Sequence, residues 1–336
     1  MPEHLIEGMR NTLRKAARVA LLPVVQGPEE VLVGGQAVIE GVMMRSPHSW
    51  AVAVRKASGS LAVKRDFLDR PSEKRRWLKI PVLRGLGVLG QAMILGIRAL
   101  RYSAQEALEE EDKKAGKTEN NSKWNDWLLA LNLVFSLGFF IVFYKLLPLY
   151  AATLLQRHYG VMHNFILFNL ADGIIRLLLF FGFLLAISQG REIKRVFEYH
   201  GAEHKVVWAF EKTRGRVDLA SARAATRFHP RCGTSFLLVV MVIALIVYLF
   251  LPFQSFLWKF ASRILLLPVI AGVSYEFIRY AAKAQGIVWR MASQPGLWLQ
   301  RVTTREPDDS QLETAMRALE AAMELEKARG GELVIA

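Results

Sequence analysis

The chain has 336 residues, 52% of them hydrophobic, and a net charge of +14 at pH 7, enough for two or three structural units. Such a charge suits nucleic acid or an anionic membrane surface; long apolar runs favour the membrane, so lipid head groups rather than nucleic acid are the expected partner. Its single cysteine, Cys232, excludes an intrachain disulfide and leaves one thiol for a metal.

Residues 1–29 lack the apolar core of a signal peptide, and between 9 and 23 basic and apolar residues alternate as in an amphipathic helix. Residues 30–70 read as a cytoplasmic β unit. Its short runs lie at 31–33, 37–43, 50–55 and 61–66, punctuated by Gly34-Gly35 and Ser58-Gly59, and the last two form a hairpin. In 71–107, the Ile80-Pro81-Val82-Leu83-Arg84-Gly85 start and an apolar stripe predict an amphipathic or re-entrant helix. Arg84, Arg98 and Arg101 crowd it too closely for a full span. Residues 108–124 are a charged linker.

Residues 127–283 predict a four-helix membrane domain. The spans fall at 127–155, 165–187, 235–253 and 264–282, each near the ~20 residues that cross ~30 Å of hydrocarbon. The link between spans two and three, within 190–234, carries about ten Lys/Arg, against about three in the other two links together. That bias places the loop in the cytoplasm and, with an even number of spans, both termini too. Inside the spans, Asp172–Arg176 and Glu276–Arg279 have the spacing of helical ion pairs. In the tail, 284–336, Asp308-Asp309-Ser310 cap a helix at 311–329. Its stripe of Leu312, Ala315, Met316, Leu319 and Met323 docks on the β unit. The fold class is an α-helical, multi-pass integral membrane protein, N-in and C-in. A small α+β cytoplasmic unit is built from the N-terminal β segment, the large loop and the C-terminal helix.

Chemistry concentrates in that loop. Tyr199-His200-Gly201-Ala202-Glu203-His204-Lys205 contains H-x-x-E-H, which on a helix continuing out of span two sets both imidazoles on one face. Phe228-His229-Pro230-Arg231-Cys232-Gly233-Thr234-Ser235 precedes span three and offers His229 and Cys232 at a spacing that one short turn can present to a metal. The H-x-x-E-H spelling is also that of inverted zinc peptidases, whose glutamate is a general acid/base. In that arrangement Glu276, 72 residues after His204, would be the third ligand. The rival set is His200, His204, His229 and Cys232, with Glu203 moving protons and Glu276 paired to Arg279 or Arg176. A third constellation, Gly34-Gly35-Gln36-Ala37-Val38-Ile39-Glu40-Gly41-Val42-Met43-Met44-Arg45, has no Walker lysine and no G-x-G-x-x-G, so nucleotide binding is unsupported. Glu40 and Arg45, with Arg231 and Glu276, are the candidates for lining the site. His4, His48, His158 and His163 read as ordinary surface or interface residues.

These motifs, with Pro295-Gly296-Leu297-Trp298-Leu299-Gln300 and Thr303-Thr304-Arg305-Glu306-Pro307-Asp308-Asp309, resemble the bacterial YqhQ-like family over about residues 30–325. The resemblance implies a bacterial membrane protein often labelled a predicted metal-dependent enzyme, and carries no catalytic assignment. The expectation is a cytoplasm-facing, zinc-dependent hydrolase. Two alternatives stay open: a membrane scaffold or assembly factor binding a cytoplasmic protein or a second copy, and a transporter built on the intramembrane charges.

Overall fold

A computed structural model describes residues 33–68, 80–115, 122–213, 215, 217–253, 255–283 and 287–328. The amphipathic segment expected at 9–23 and residues 116–121 of the expected linker lie outside these. The chain begins with β1 (Gly34–Val38), β2 (Gly41–Arg45), β3 (Ser49–Arg55) and β4 (Leu61–Phe67). Then come α1 (Leu83–Ala115), α2 (Ser122–Ile141), a π-helical turn (Val142–Leu146), α3 (Leu147–His158), a 3-10 turn (Gly160–His163) and α4 (Phe165–Ile187). The remaining helices are α5 (Arg191–Thr213), α6 (Leu219–Ala224), α7 (Gly233–Leu249), α8 (Phe256–Leu265), α9 (Leu267–Lys283), α10 (Ile287–Thr303) and α11 (Asp309–Ala328).

The strands form an antiparallel meander in the order β1-β2-β3-β4. The single strand expected at 37–43 is in fact a hairpin, in which Val38 pairs with Gly41 across Ile39-Glu40. Glu40 takes φ 52°, and the backbone of Gly41 abuts the Ala53 carbonyl so closely that a Cβ has no room. Two-residue hairpins usually advertise themselves with Asn-Gly or Gly at the turn; Ile39-Glu40 does not, so the run reads as unbroken.

Both faces of the sheet are covered. Val42, Met44 and Ala53 face Tyr199, Ala202, Val206 and Phe210 of α5 and Leu312, Ala315, Leu319 and Met323 of α11. The alternate residues Met43, Trp50, Val52 and Val54 pack under Leu95 and Ala99 of α1. Period-two alternation thus feeds two apolar layers at once. Asp308 caps α11, accepting from the Gln311 backbone at 2.8 Å, while the Gln311 side chain accepts from the Asp308 N–H at 2.9 Å. Glu326, near the far end of α11, accepts from Ser46 Oγ at 2.6 Å and His48 N at 2.9 Å and meets His48 Nδ1 at 2.8 Å, so His48 ties the sheet to the helix.

Among the described residues three helices are long and apolar enough to cross a membrane: Leu83–Ala107, Val134–His158 and Phe165–Ile187. A fourth arises if Phe256–Leu265 and Leu267–Ala281, bent by 45°, count as one. The expected span at 127–155 shifts towards 134–158, because the apolar window runs through the π turn into α3. That at 235–253 shortens to the 17 residues of α7. That at 264–282 is interrupted at Leu266. Span two does not continue into α5: Ser188-Gln189-Gly190 turns the chain between them. The charged segment expected as a linker is helical at both ends, in α1 and α2. By length α1 matches a span, yet Leu95, Ala99 and Tyr102 lie on the sheet, which limits how much of it hydrocarbon can surround. Its start joins α9, where Arg84 Nε donates to Glu276 at 2.7 Å and Gly272 meets Val82, itself held at φ 70°.

Candidate metal centre

Helix α5 divides its faces by the 3.6 periodicity. Tyr199, Ala202, Val206 and Phe210 enter the core, and His200 and His204, one turn apart, stack edge to face with ring centroids 4.4 Å apart. Two glycines set the depth of the helix. A Cβ on Gly201 would collide with the Arg305 carbonyl, and a Cβ on Gly35 would lie 2.6 Å from Glu203 Cγ. Gly201 therefore lets the segment after α10 cross α5 at backbone contact, where Arg305 N donates to the Phe197 carbonyl at 2.8 Å. Gly35 lets β1 pass beneath Glu203.

One ligand atom each from His200, His204 and Cys232 lie within 4.8 Å of one another, and Cys232 Sγ is 3.3 Å from His200 Nε2. Cys232 sits at the N-cap of α7, also contacting Thr234 Oγ1 at 3.1 Å. The tautomers follow from the partners. His200 Nδ1 is 2.8 Å from the Thr303 carbonyl and His204 Nδ1 is 2.6 Å from the Arg227 carbonyl. A carbonyl only accepts, so both protons sit on Nδ1 and both Nε2 atoms keep a lone pair, that of His200 facing the Cys232 sulfur; a carbonyl behind the ring fixes metal-binding histidines in the same way. Ligands around tetrahedral zinc stand roughly 3.3–3.8 Å apart, so one pair already matches and the others need to close by at most about 1.5 Å. Two imidazoles and a thiol are also the donor types zinc prefers.

Buried Glu203 places Oε2 3.5 Å from His204 Nε2. His229 lies beside the three donors, its ring centroid 5.8 Å from that of His204, but outside their group. Its Nδ1 accepts from Arg231 N at 3.2 Å, which puts the proton on Nε2. That buried N–H has no hydrogen-bond acceptor among the described residues and stands 3.6 Å from Glu211. Burial pushes the His229 pKa below its ordinary value, the charge of Glu203 opposing this only in part, so the ring is a neutral donor. Gln300 of α10 holds both main-chain polar groups of one residue, accepting from His229 N and donating to His229 O, each at 2.7 Å.

The other candidates are dispersed. Glu276 is clasped by Arg84 rather than by Arg279 or Arg176, because α1 brings a guanidinium to it from 192 residues away; it is not in the His/Cys group. Glu40 pairs with Arg195 and accepts from Tyr199 Oη at 3.3 Å, on the sheet side of α5. Burial, then the Glu40 carboxylate, raises the Tyr199 pKa, so the phenol stays a donor. Arg231 binds Glu211. Arg45 ends β2, its Nε near Gly34. Sequence reasoning missed Thr303, Arg227 and Gln300. Gln300 and Thr303 belong to the segment that carried the family resemblance, so the signal was present without a role.

The family described as "Protein of unknown function (DUF1385)" matches residues 80–325, which include the whole His/Cys cluster and its supporting carbonyls. The chain belongs to the DUF1385 family. The "Uncharacterized protein YqhQ" of Bacillus subtilis (strain 168) is 32% identical over 307 residues, 87% of this chain and 92% of its own length. No solved structure matches the chain. The β sheet, 34–67, precedes the family match, although Gly35 and Glu203 join it to the cluster.

Proposed function

We propose that this chain is a multi-pass membrane protein that binds zinc through His200, His204 and Cys232 at its cytoplasmic face and uses the site for hydrolysis. The observation that carries the metal reading is the convergence of three donor atoms with both Nδ1 protons pinned by main-chain carbonyls. Three protein ligands are the pattern of catalytic zinc, which keeps one position open.

The membrane reading rests on an inside-out distribution of polarity. Val134, Phe135, Leu137, Phe139, Leu178 and Leu185 point outward, while Lys145, Asp172, Arg176 and Arg263 are buried between helices. In this reading α2–α3, α4, α7 and the bent α8–α9 cross the bilayer, and the basic α4–α7 connection sets the cytoplasmic side. Helix α1 lays its other face, Met93, Ile94, Ile97 and Leu100, against the membrane surface while Leu95 and Ala99 hold the sheet. At ~25 Å, α7 is short for a span, which keeps Cys232 at the boundary between lipid and cytoplasm.

Zinc bound here would bring the pKa of a coordinated water towards neutrality and polarise a substrate oxygen. Glu203 is placed to accept and return the proton, and His229 Nε2–H to hold a substrate oxygen. Elemental analysis of the purified full chain tests the metal: about one zinc per chain is expected in the wild type and none in His200→Ala or His204→Ala. Metal-free wild type that folds normally sinks the reading. A second reading, a closed structural zinc in a scaffold protein, is favoured by Glu203 lying 3.5 Å from His204 Nε2, close enough to become a fourth ligand. Glu203→Gln separates them. The hydrolase keeps its zinc and loses zinc-dependent turnover on a panel of chromogenic esters and peptides; the scaffold binds zinc more weakly and shows no turnover to lose.

A further inference from the structure

A second buried polar cluster sits at the far end of α7 from Cys232, about 24 Å away along the helix. Lys145, Arg176, Lys259 and Arg263 surround one carboxylate, Asp172, and all five side chains are at least nine-tenths buried. Asp172 Oδ2 accepts from Arg176 Nη2 at 2.7 Å and Arg263 Nε at 3.1 Å. Arg263 also donates to Asn169 Oδ1 and to the Lys259 carbonyl, each at 2.8 Å. The lysines are met by rings and one amide: Lys145 Nζ lies 5.9 Å from the Tyr248 centroid, and Lys259 Nζ lies 3.4 Å from that of Phe168 and donates to Gln156 Oε1 at 3.4 Å. Four basic side chains thus share one acidic partner. Helix glue explains the two arginines on Asp172; it gives no reason for two more cations, whose desolvation ring faces offset only in part.

Two buried atoms are also unpartnered among the described residues: Arg176 Nη1, a donor, and Asp172 Oδ1, an acceptor. The backbone is irregular here in two of the contributing helices. Lys145 rides on the π turn, and Pro148, which has no N–H for the carbonyl four residues earlier, leaves Tyr144 O to accept from Arg176 Nε at 3.2 Å. Lys259 and Arg263 lie one turn apart on α8, Arg263 in its last turn before the 45° bend. Broken helices carrying charges inside a bundle are a recurrent way to build an ion site.

We propose that this cluster binds a phosphate-class oxyanion that retains a P–OH, hydrogen phosphate or a phosphate monoester. Its anionic oxygens accept from Arg176 Nη1 and the two lysines, and its hydroxyl donates to Asp172 Oδ1, which a phosphodiester cannot do. The source is either free phosphate or the head group of phosphatidic acid.

The test uses the full chain in phosphatidylcholine nanodiscs, read by thermal unfolding and native mass spectrometry. Inorganic phosphate at constant ionic strength, with chloride as the control, probes the free anion; discs doped with phosphatidic acid, against phosphatidylglycerol, probe the lipid. Saturable stabilisation by phosphate, or retained phosphatidic acid adducts, supports the site and names its source. Lys145→Met and Lys259→Met remove a basic side chain, so each should fold and bind about tenfold more weakly. Stabilisation by neither probe overturns the proposal. So does an equal effect of chloride, equal retention of phosphatidylglycerol, or undiminished binding in both folded variants.

Discussion

At the N-terminal end of α7 lone pairs converge: two imidazole nitrogens and a sulfur, with a carboxylate beside them. At its C-terminal end N–H groups gather: two arginines donate to one carboxylate, and two lysines lie close by against aromatic rings. Both sets are largely buried, with His200 half-buried, and the same rule governs both: a dry polar group needs a partner of opposite character. The first set is neutralised locally, each Nδ1 proton ending on a main-chain carbonyl. The second is not. One helix thus separates a site suited to a cation from one suited to an anion.

The comparison breaks most visibly if the first site loses its donors. Replacing His200 and His204 together by Ala should take zinc from about one per chain to background, measured by elemental analysis, while the sheet and its cores persist. The next largest effect belongs to the other end. Asp172→Asn strips the one acidic partner from four basic side chains and should cost about 3–5 kcal/mol in detergent unfolding, as breaking a buried ion pair does. An unchanged unfolding midpoint would mean the cations are balanced elsewhere. Gly201→Ala drives a methyl into the Arg305 carbonyl and should cost about 1–3 kcal/mol, read as a lowered melting temperature.

The smallest effect is one of pH, far from either cluster. Burial tends to raise the Glu326 pKa, but hydrogen bonds from Ser46 and His48 outweigh it and hold the carboxyl below its ordinary 4.5. A depressed folded pKa gives stability that is present above pH 4.5 and lost as the pH falls through the folded value. Wild type should therefore exceed Glu326→Gln in unfolding midpoint at neutral pH, with the gap closing as the solution is acidified below 4.5.

The residues that the sequence exposed were those whose side chains carry the chemistry. The i,i+4 spacing of His200 and His204 and the solitary Cys232 pointed to one place, and the structure puts them together. The atoms that orient them were invisible, because the carbonyls of Thr303 and Arg227 belong to the main chain and have no residue signature. Long-range partners were equally hidden: nothing near Glu276 announces Arg84. Lys259 and Arg263 counted as loop charges, since an apolar helix broken at Leu266 has the same composition as a helix preceded by a basic loop. Alternation located β3 and β4, but β1 was missed because Gly34-Gly35 read as punctuation, and the turn at Ile39-Glu40 lacks its usual residues.

The Thr303 carbonyl has a consequence in time. Chains are made from the N-terminus, and all three donors exist once residue 232 has been added, about seventy residues before Thr303. Until α7, α8, α9 and α10 have followed, His200 has no acceptor for its Nδ1 proton and its ring can turn. The ligands are early and the carbonyl that aligns His200 is late, so a chain cut short of Thr303 would carry the donors without that acceptor.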